Sequence, residues 1–168
     1  MRPAVLLCTG IEVNHLSVID TLITDRTALD VDELYNLLSQ GQNPSAAHKG
    51  AYNASDLNRV GDAVSYLTQR LQNIGISVTT EPKTNWTGVD IPTQSQIEKY
   101  LDNIWSMWAA IMAYRPDIKL PEEMRFLDYS GANQIEELLK QTDLMVTRIE
   151  LSYRQYSGRQ ISGVNCLP

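Results

Sequence analysis

Leu57, Val60, Val64, Leu67, Leu71 and Ile74 follow one another at steps of three, four, three, four and three. No other feature of this sequence restricts its fold so strongly. That spacing keeps one apolar stripe on a single helix face, whereas a strand would alternate every second residue. Asn53 or Ser55 can cap the free N–H groups of the first turn, and Asp56 sits where the helix end favours a carboxylate. Gly75 supplies the left-handed residue that ends the helix. Residues 55–74 therefore form a helix about 30 Å long. Arg59, Asp62, Gln69, Arg70 and Asn73 lie off the stripe and predict a solvated outer face.

Three further helices are predicted on the same grounds. Thr27-x-x-Asp30 is close to a capping box ahead of Val31, Leu34, Leu37 and Leu38, and Gly41 ends that helix. Pro92 and Thr93 open the next, with Thr93-x-x-Gln96 or Ser95-x-x-Glu98 as its box. Its stripe is Ile97, Leu101, Ile104, Trp108 and Ile111, widened by Trp105, Met107 and Met112, and Pro116 closes it. Ser130 caps a last helix with Ile135, Leu138, Leu139, Thr142, Met145, Val146 and Ile149 on its face. Two β-leaning runs, Ala4–Leu7 and Leu16–Ile23, and the β-branched Ile76–Thr80 read as short strands, the last two paired. The expected fold is mainly α: an antiparallel bundle of about four helices with a few short N-terminal and connecting β-strands. Residues 1–22 form an extension, 23–156 the bundle and 157–168 a flexible tail.

Composition narrows the function classes. The chain has 168 residues and a net charge of −6, with no Lys/Arg cluster. This argues against nucleic-acid binding by phosphate neutralisation and against an anionic membrane surface. Cys8 and Cys166 fit no disulfide framework and read as free thiols in a reducing compartment. The apolar run at the start is too short for a secretory signal, and no run approaches the ~20 residues of a membrane helix. The expectation is a soluble protein made in the cytoplasm.

Catalytic signals are weak. His15 and His48 have no flanking motif, the two cysteines lack metal spacing, and no P-loop, dinucleotide or hydrolase motif occurs. Asp30, Asp32 and Glu33 are explained by the helix dipole, and Glu136 and Glu137 are placed on the solvent side beside Ile135. Asn58, Asn103 and Asn133 sit inside helices, where Asn is a poor former. They are either a polar cluster that sets packing register or, the preferred reading, solvent-exposed. Trp86 lies in the loop of residues 81–93, either folded back as a lid on the core or exposed as an interface anchor. No cofactor and no metal is implied.

Several runs carry a resemblance. They are Ile23-Thr24-Asp25-Arg26-Thr27 with Asp30-Val31, and Lys49-Gly50-Ala51-Tyr52-Asn53 leading to Asp56-Leu57-Asn58-Arg59-Val60. Trp86-Thr87, Asp90-Ile91-Pro92-Thr93 and Tyr129 to Ala132-Asn133-Gln134-Ile135-Glu136 follow in order. Together, over about residues 20–158, the chain resembles a small protein of the tail-gene region of phages and prophages of Gram-positive gut bacteria. The resemblance implies a virion structural component of the tail or baseplate, with no catalytic residues to carry over.

The expected function is therefore a non-enzymatic structural or adaptor protein acting through protein–protein packing. It would be made in the bacterial host cytoplasm and then enter the virion. Expected partners are other copies of itself, as a homo-oligomer, or neighbouring tail proteins, with no nucleic acid and no membrane insertion. Trp86, Trp105 and Trp108 are the candidate interface residues, together with the glycine-containing tail. The alternatives are a ligand-binding module, such as glycan recognition at a tail tip with Trp86 stacking on a sugar, and a non-virion prophage regulatory protein.

Overall fold

The computed structural model describes residues 15–45, 48–111, 120–121 and 123–162. Its helices, in order, are α1 (His15–Asp20), α2 (Ala28–Ser39), α3 (Ala54–Asn73), α4 (Gln94–Ala110) and α5 (Tyr129–Ser162). A 3-10 turn, Met124–Phe126, precedes α5. Capping boxes open α2 with Thr27 and Asp30, α3 with Asn53 and Asp56, and α4 with Thr93 and Gln96. Gly75, at φ 84°, turns the chain out of α3 through a conformation that costs a residue with a Cβ.

The α3 stripe forms the middle of the core. Leu57, Val60, Ala63, Val64, Leu67 and Leu71 are buried, and Ile74 packs at the edge. From α5 come Ala132, Ile135, Leu138, Leu139 and Val146, and from α4 Tyr100, Ile104 and Met107, followed by Ile111. The α4 stripe is displaced from the expected one: Tyr100 and Met107 replace Leu101 and Trp108 as the buried positions. α1 packs on α3 and α5 through Ile19 and Leu22, whereas α2 buries none of its residues.

The central helices run in the same sense, which corrects the antiparallel expectation. Arg59 of α3 bonds Glu136 of α5, and Arg70 bonds Glu150 and Thr147. Both chains advance together along the contact, from 59 to 70 on one helix and from 136 to 147–150 on the other. α4 follows α3 likewise: Tyr100 reaches Tyr52 just before the start of α3, while Asn103 reaches Glu81, next to the residue bonded to Thr68. Same-sense helices require connections that return the length of a helix. Residues 74–93 do so in extended form, reaching up to about 3.3 Å per residue.

That return strand is stapled to the helices by side chains. Down α3, Gln72 bonds the Val78 carbonyl at 2.9 Å, Thr68 bonds Thr80 at 2.7 Å, and Asn58 clasps Trp86. Residues 72 to 58 rise about 21 Å as helix, and residues 78 to 86 cover about 26 Å as extended chain, so the two segments match in length. This explains why Ile76–Thr80 reads as a strand in sequence yet joins no ladder. The other strand reading changes more: α1 takes up residues 16–20 of Leu16–Ile23, and Thr21 bonds back to the Val18 carbonyl at 2.7 Å. Ile19 and Leu22 are three apart and both buried, a helical spacing that tertiary contact favours over β-propensity. No strand occurs among the described residues, and Ala4–Leu7 lies outside them. The bundle thus includes α1, inside the expected extension, and α5 continues as helix past residue 157 to Ser162.

Gly61 lets the return strand lie against α3. A Cβ there would sit 2.7 Å from the Lys83 carbonyl oxygen and 3.1 Å from Thr84 Cγ2. Gly61→Ala is expected to lower stability by about 1–2 kcal/mol, because the clash outweighs alanine's better helix propensity. Urea unfolding beside Asp62→Ala, an exposed neighbour expected to change stability by under about 0.5 kcal/mol, is the check. An unchanged midpoint for Gly61→Ala would mean that the strand can move off α3 at no cost.

Candidate functional site

The most concentrated chemistry lies where α3 and α5 begin. Arg26 arrives from the segment between α1 and α2, Asp56 and Arg59 from the first turns of α3, and Glu136 from the second turn of α5. Arg26 donates to Glu136 at 2.6 Å and to Asp56 at 2.9 Å. Arg59 donates to Glu136 at 2.8 and 3.0 Å, and also to Asp56. The Glu136 side chain is 0% exposed. Two cations thus meet two anions, so the buried group is neutral as a whole, which is what makes its burial tolerable.

Backbone and aromatic groups complete the cluster. The Ile23 N–H donates to Glu136 Oε2 at 2.5 Å, and the Asn53 N–H donates to Asp56 Oδ2 at 2.8 Å. Every oxygen of both carboxylates is therefore engaged. Arg26 lies over the Tyr52 ring, 5.4 Å from its centre, and the Tyr52 hydroxyl meets that of Tyr100 at 2.5 Å. The group ties the segment ahead of α2 to α3, α4 and α5 at one end of the bundle. Burial alone would lower the Arg59 pKa, but the Glu136 and Asp56 carboxylates outweigh it and hold it above the ordinary arginine value.

Glu136 overturns an expectation. Its position beside Ile135, on the polar side of the stripe, predicts solvent. α5 packs against α1, α3 and α4, so its buried arc is wider than a single stripe and takes in Glu136. Arg59 and Arg70 change sides for the same reason. At the far end of α3, Arg70 bonds Glu150 at 2.6 Å, Thr147 at 3.2 Å and Asp143.

The three helix asparagines are not solvated either. Asn58 accepts from the Trp86 N–H at 2.7 Å and donates to its carbonyl at 2.9 Å. Asn133 does the same to Arg26, at 3.0 and 2.8 Å, and Asn103 accepts from the Glu81 N–H at 2.9 Å. Each amide replaces a missing β-partner for an extended segment. The poor helix propensity of Asn was the available signal, and its cost is offset by satisfying buried backbone groups.

The candidate tryptophans separate. Trp86 is 5% exposed, with the Lys83 ammonium 3.8 Å from its ring centre, so it is a lid on the core and not an exposed anchor. Trp108 is half-buried against the core. Trp105 is 53% exposed and stacks at a tilt on Trp108, with centroids 4.8 Å apart. His48 accepts from the Gly50 N–H at 3.1 Å in a turn. Cys8, Cys166 and the His15 side chain lie outside the described residues. Among the described residues no three His, Cys, Asp or Glu gather as metal ligands, and no helix is long and apolar enough to cross a membrane. Arg26, Tyr52, Asp56, Asn58, Arg59, Trp86, Asn133 and Glu136 all fall within the sequence runs that carry the resemblance.

No protein-family model, curated protein or solved structure matches the chain.

The buried tyrosines give the fold an alkaline limit. Burial, then the neighbouring phenol and carboxylates, pushes Tyr100 well above its ordinary value of 10.0. Burial also pushes Tyr52 up, and raises Tyr66 to about 12. Above pH 10 the unfolded chain releases these protons first, so the folded state binds more of them and stability falls as pH rises. Below the unfolded value the contribution is fully present. Urea midpoints are expected to hold steady just below pH 10 and to fall above it, with a shallower fall in Tyr52→Phe/Tyr100→Phe. An equally steep fall in that double variant would assign the alkaline limit elsewhere.

Proposed function

We propose that this protein is a non-enzymatic structural or adaptor component of a phage or prophage virion, associated with the tail or baseplate and acting through protein–protein packing. One observation supports the packing role. The charged and amide groups best suited to chemistry face inward as staples, while apolar side chains face out: Trp105 on α4, Leu144 and Leu151 on α5, Tyr35 and Leu38 on α2. A chain arranged in this way presents contact surfaces on a rigid frame. The virion assignment rests on the resemblance to proteins of the tail-gene region. In this reading the chain is made in the host cytoplasm, and its partners are further copies or neighbouring tail proteins. Trp105, with Trp108 behind it, is the interface residue retained. Glycan stacking on Trp86 is not taken up, because that ring is buried.

Mass spectrometry of purified particles from an induced host carrying the gene tests the assignment. The expected result is peptides of this chain at several copies per particle. Absence from particles while the protein is abundant in the lysate would overturn the virion reading in favour of a regulatory role. At the level of the surface, acrylamide is expected to quench Trp105 strongly and Trp86 weakly. If Trp105→Phe leaves the quenchable fraction unchanged, the exposed ring on α4 is not where the proposal puts it.

A further inference from the structure

Two helical surfaces that the bundle leaves uncovered are opposite in charge. α2 reads Ala-Leu-Asp-Val-Asp-Glu-Leu-Tyr-Asn-Leu-Leu-Ser: half of its residues are large and apolar, it holds three acidic residues, and it has no Lys or Arg. None of its residues is buried, with Leu29 at 77% and Tyr35 at 68% exposure. An amphipathic helix normally gains its stability by burying an apolar face, so an unburied one signals a partner. Tyr35 and Leu38 are three apart on one face, with Asp32 one turn before Tyr35.

The second surface is the back of α5. Leu144, Arg148 and Leu151 are spaced by four and three and are all exposed, on the side of the helix away from Thr142, Val146 and Ile149. Arg154 is exposed one turn further on. The acidic residues nearby, Asp143 and Glu150, share Arg70, and with Arg148 and Arg154 the three arginines outnumber the two carboxylates, so this surface is positive by one charge. α5 has 34 residues and α3 has 20, and their register sets Arg70 beside Thr147 and Glu150. The end of α5 therefore continues past the end of α3.

The root of α2 and the stripe are offset along α5, by 11 residues from Asn133 to Leu144. The root of α2 sits by Arg26 and Asn133, where α3 and α5 start, and Gly50 packs against Asp30 and Leu34 there. Within one chain α2 does not cover the stripe: Tyr35 and Leu38 on the one, and Leu144 and Leu151 on the other, all stay exposed. We infer that the acidic, apolar α2 of one copy docks on the Leu144–Arg148–Leu151 stripe of the next, a head-to-tail contact between copies of this chain. Such a contact either closes reciprocally in a two-fold dimer or repeats into a ring or a filament. Apolar side chains supply the buried area, and the opposite charges set the orientation. The inference rests on the structural reading above and names the partner for one of its surfaces.

The test uses the full chain and two surface variants in light scattering coupled to gel filtration, over a range of concentrations. The wild-type mass is expected to rise from that of one 18.9 kDa chain to that of two or more as concentration increases. Asp32→Lys/Tyr35→Lys removes the α2 surface and Arg148→Glu/Leu151→Glu removes the α5 surface. Each variant alone is expected to stay at the mass of one chain, with unchanged circular dichroism. Mixed in equal amounts they retain one intact α2 and one intact α5 stripe between them, so the mixture is expected to stop at two chains. A wild type that stays monomeric, variants that assemble like wild type, or a mixture that stays monomeric would each overturn the head-to-tail contact. A monomer that is still found in particles would overturn this contact alone. A chain that assembles but is absent from particles would overturn the virion reading alone.

Discussion

Glu136→Ala is expected to destabilise the protein by about 3–5 kcal/mol, the usual consequence of removing one partner from a buried ionic group. The substitution deletes the acceptor for Arg26, Arg59 and the Ile23 N–H in a single step. Two guanidinium groups then share Asp56 alone, and the Arg26 side chain is 2% exposed, so water cannot take over. Glu136→Gln keeps the shape and loses the charge, and is expected to fall between wild type and Ala. Arg26→Ala/Glu136→Ala should cost less than the two single changes added together, because the second removal also relieves the unpaired charge left by the first. Chemical unfolding of the four proteins measures this coupling. A loss below about 1 kcal/mol for Glu136→Ala would show that the cluster is not what joins the segment ahead of α2 to the bundle. The cluster need not be more stabilising than packed apolar side chains of the same volume. It contributes register: sliding α5 by one turn would separate both Arg59 from Glu136 and Arg70 from Glu150.

Asn58→Ala is the second large effect, at about 2–4 kcal/mol, the lower part of the range for two orphaned groups because both bonds are part-buried. The amide satisfies both the N–H and the carbonyl of Trp86, and orphaning a buried backbone group costs about 1–3 kcal/mol each. Loss of the clasp frees the return strand around a ring that otherwise caps the core. Intrinsic fluorescence should therefore shift to the red as Trp86 meets water, with the denaturation midpoint lowered in parallel. Asn58→Asp keeps the acceptor for the Trp86 N–H and loses the donor to its carbonyl, so an intermediate effect is expected. If Asn58→Ala matches wild type in both readouts, Gln72, Thr68 and the close approach at Gly61 hold the strand without it. Asn133→Ala makes the corresponding test at Arg26, whose backbone it clasps in the same way.

Much of the helical layout can be read from local patterns. The six-residue stripe of α3, the boxes at Thr27 and Thr93, and the stop at Gly75 all act within one or two turns, so they leave periodic marks in the chain. The stripes fail where a helix has more than one neighbour. Glu136, Arg59 and Arg70 lie beside a stripe, and only the placement of a second helix decides whether such a flank is wet or buried. The asparagines at 58, 103 and 133 stood out as poor helix formers, but their partners are up to 107 residues away, beyond any local pattern. Trp86 shows the same division: its size favours burial in any context, and the ring became a lid because the return strand brings it onto α3.

By itself the sequence determined that the chain is helical, where α2 begins, where α3 and α4 begin to within two residues, and which face of α3 joins the core, because periodicity and capping are short-range. Only the tertiary structure decided the direction of the helices, the inward turn of the charges and the exposure of α2. Those depend on how long connections pack. A return strand with no ladder partner must take its hydrogen bonds from helix side chains, and two helices that run in the same sense bring the Arg59 and Glu136 ends together.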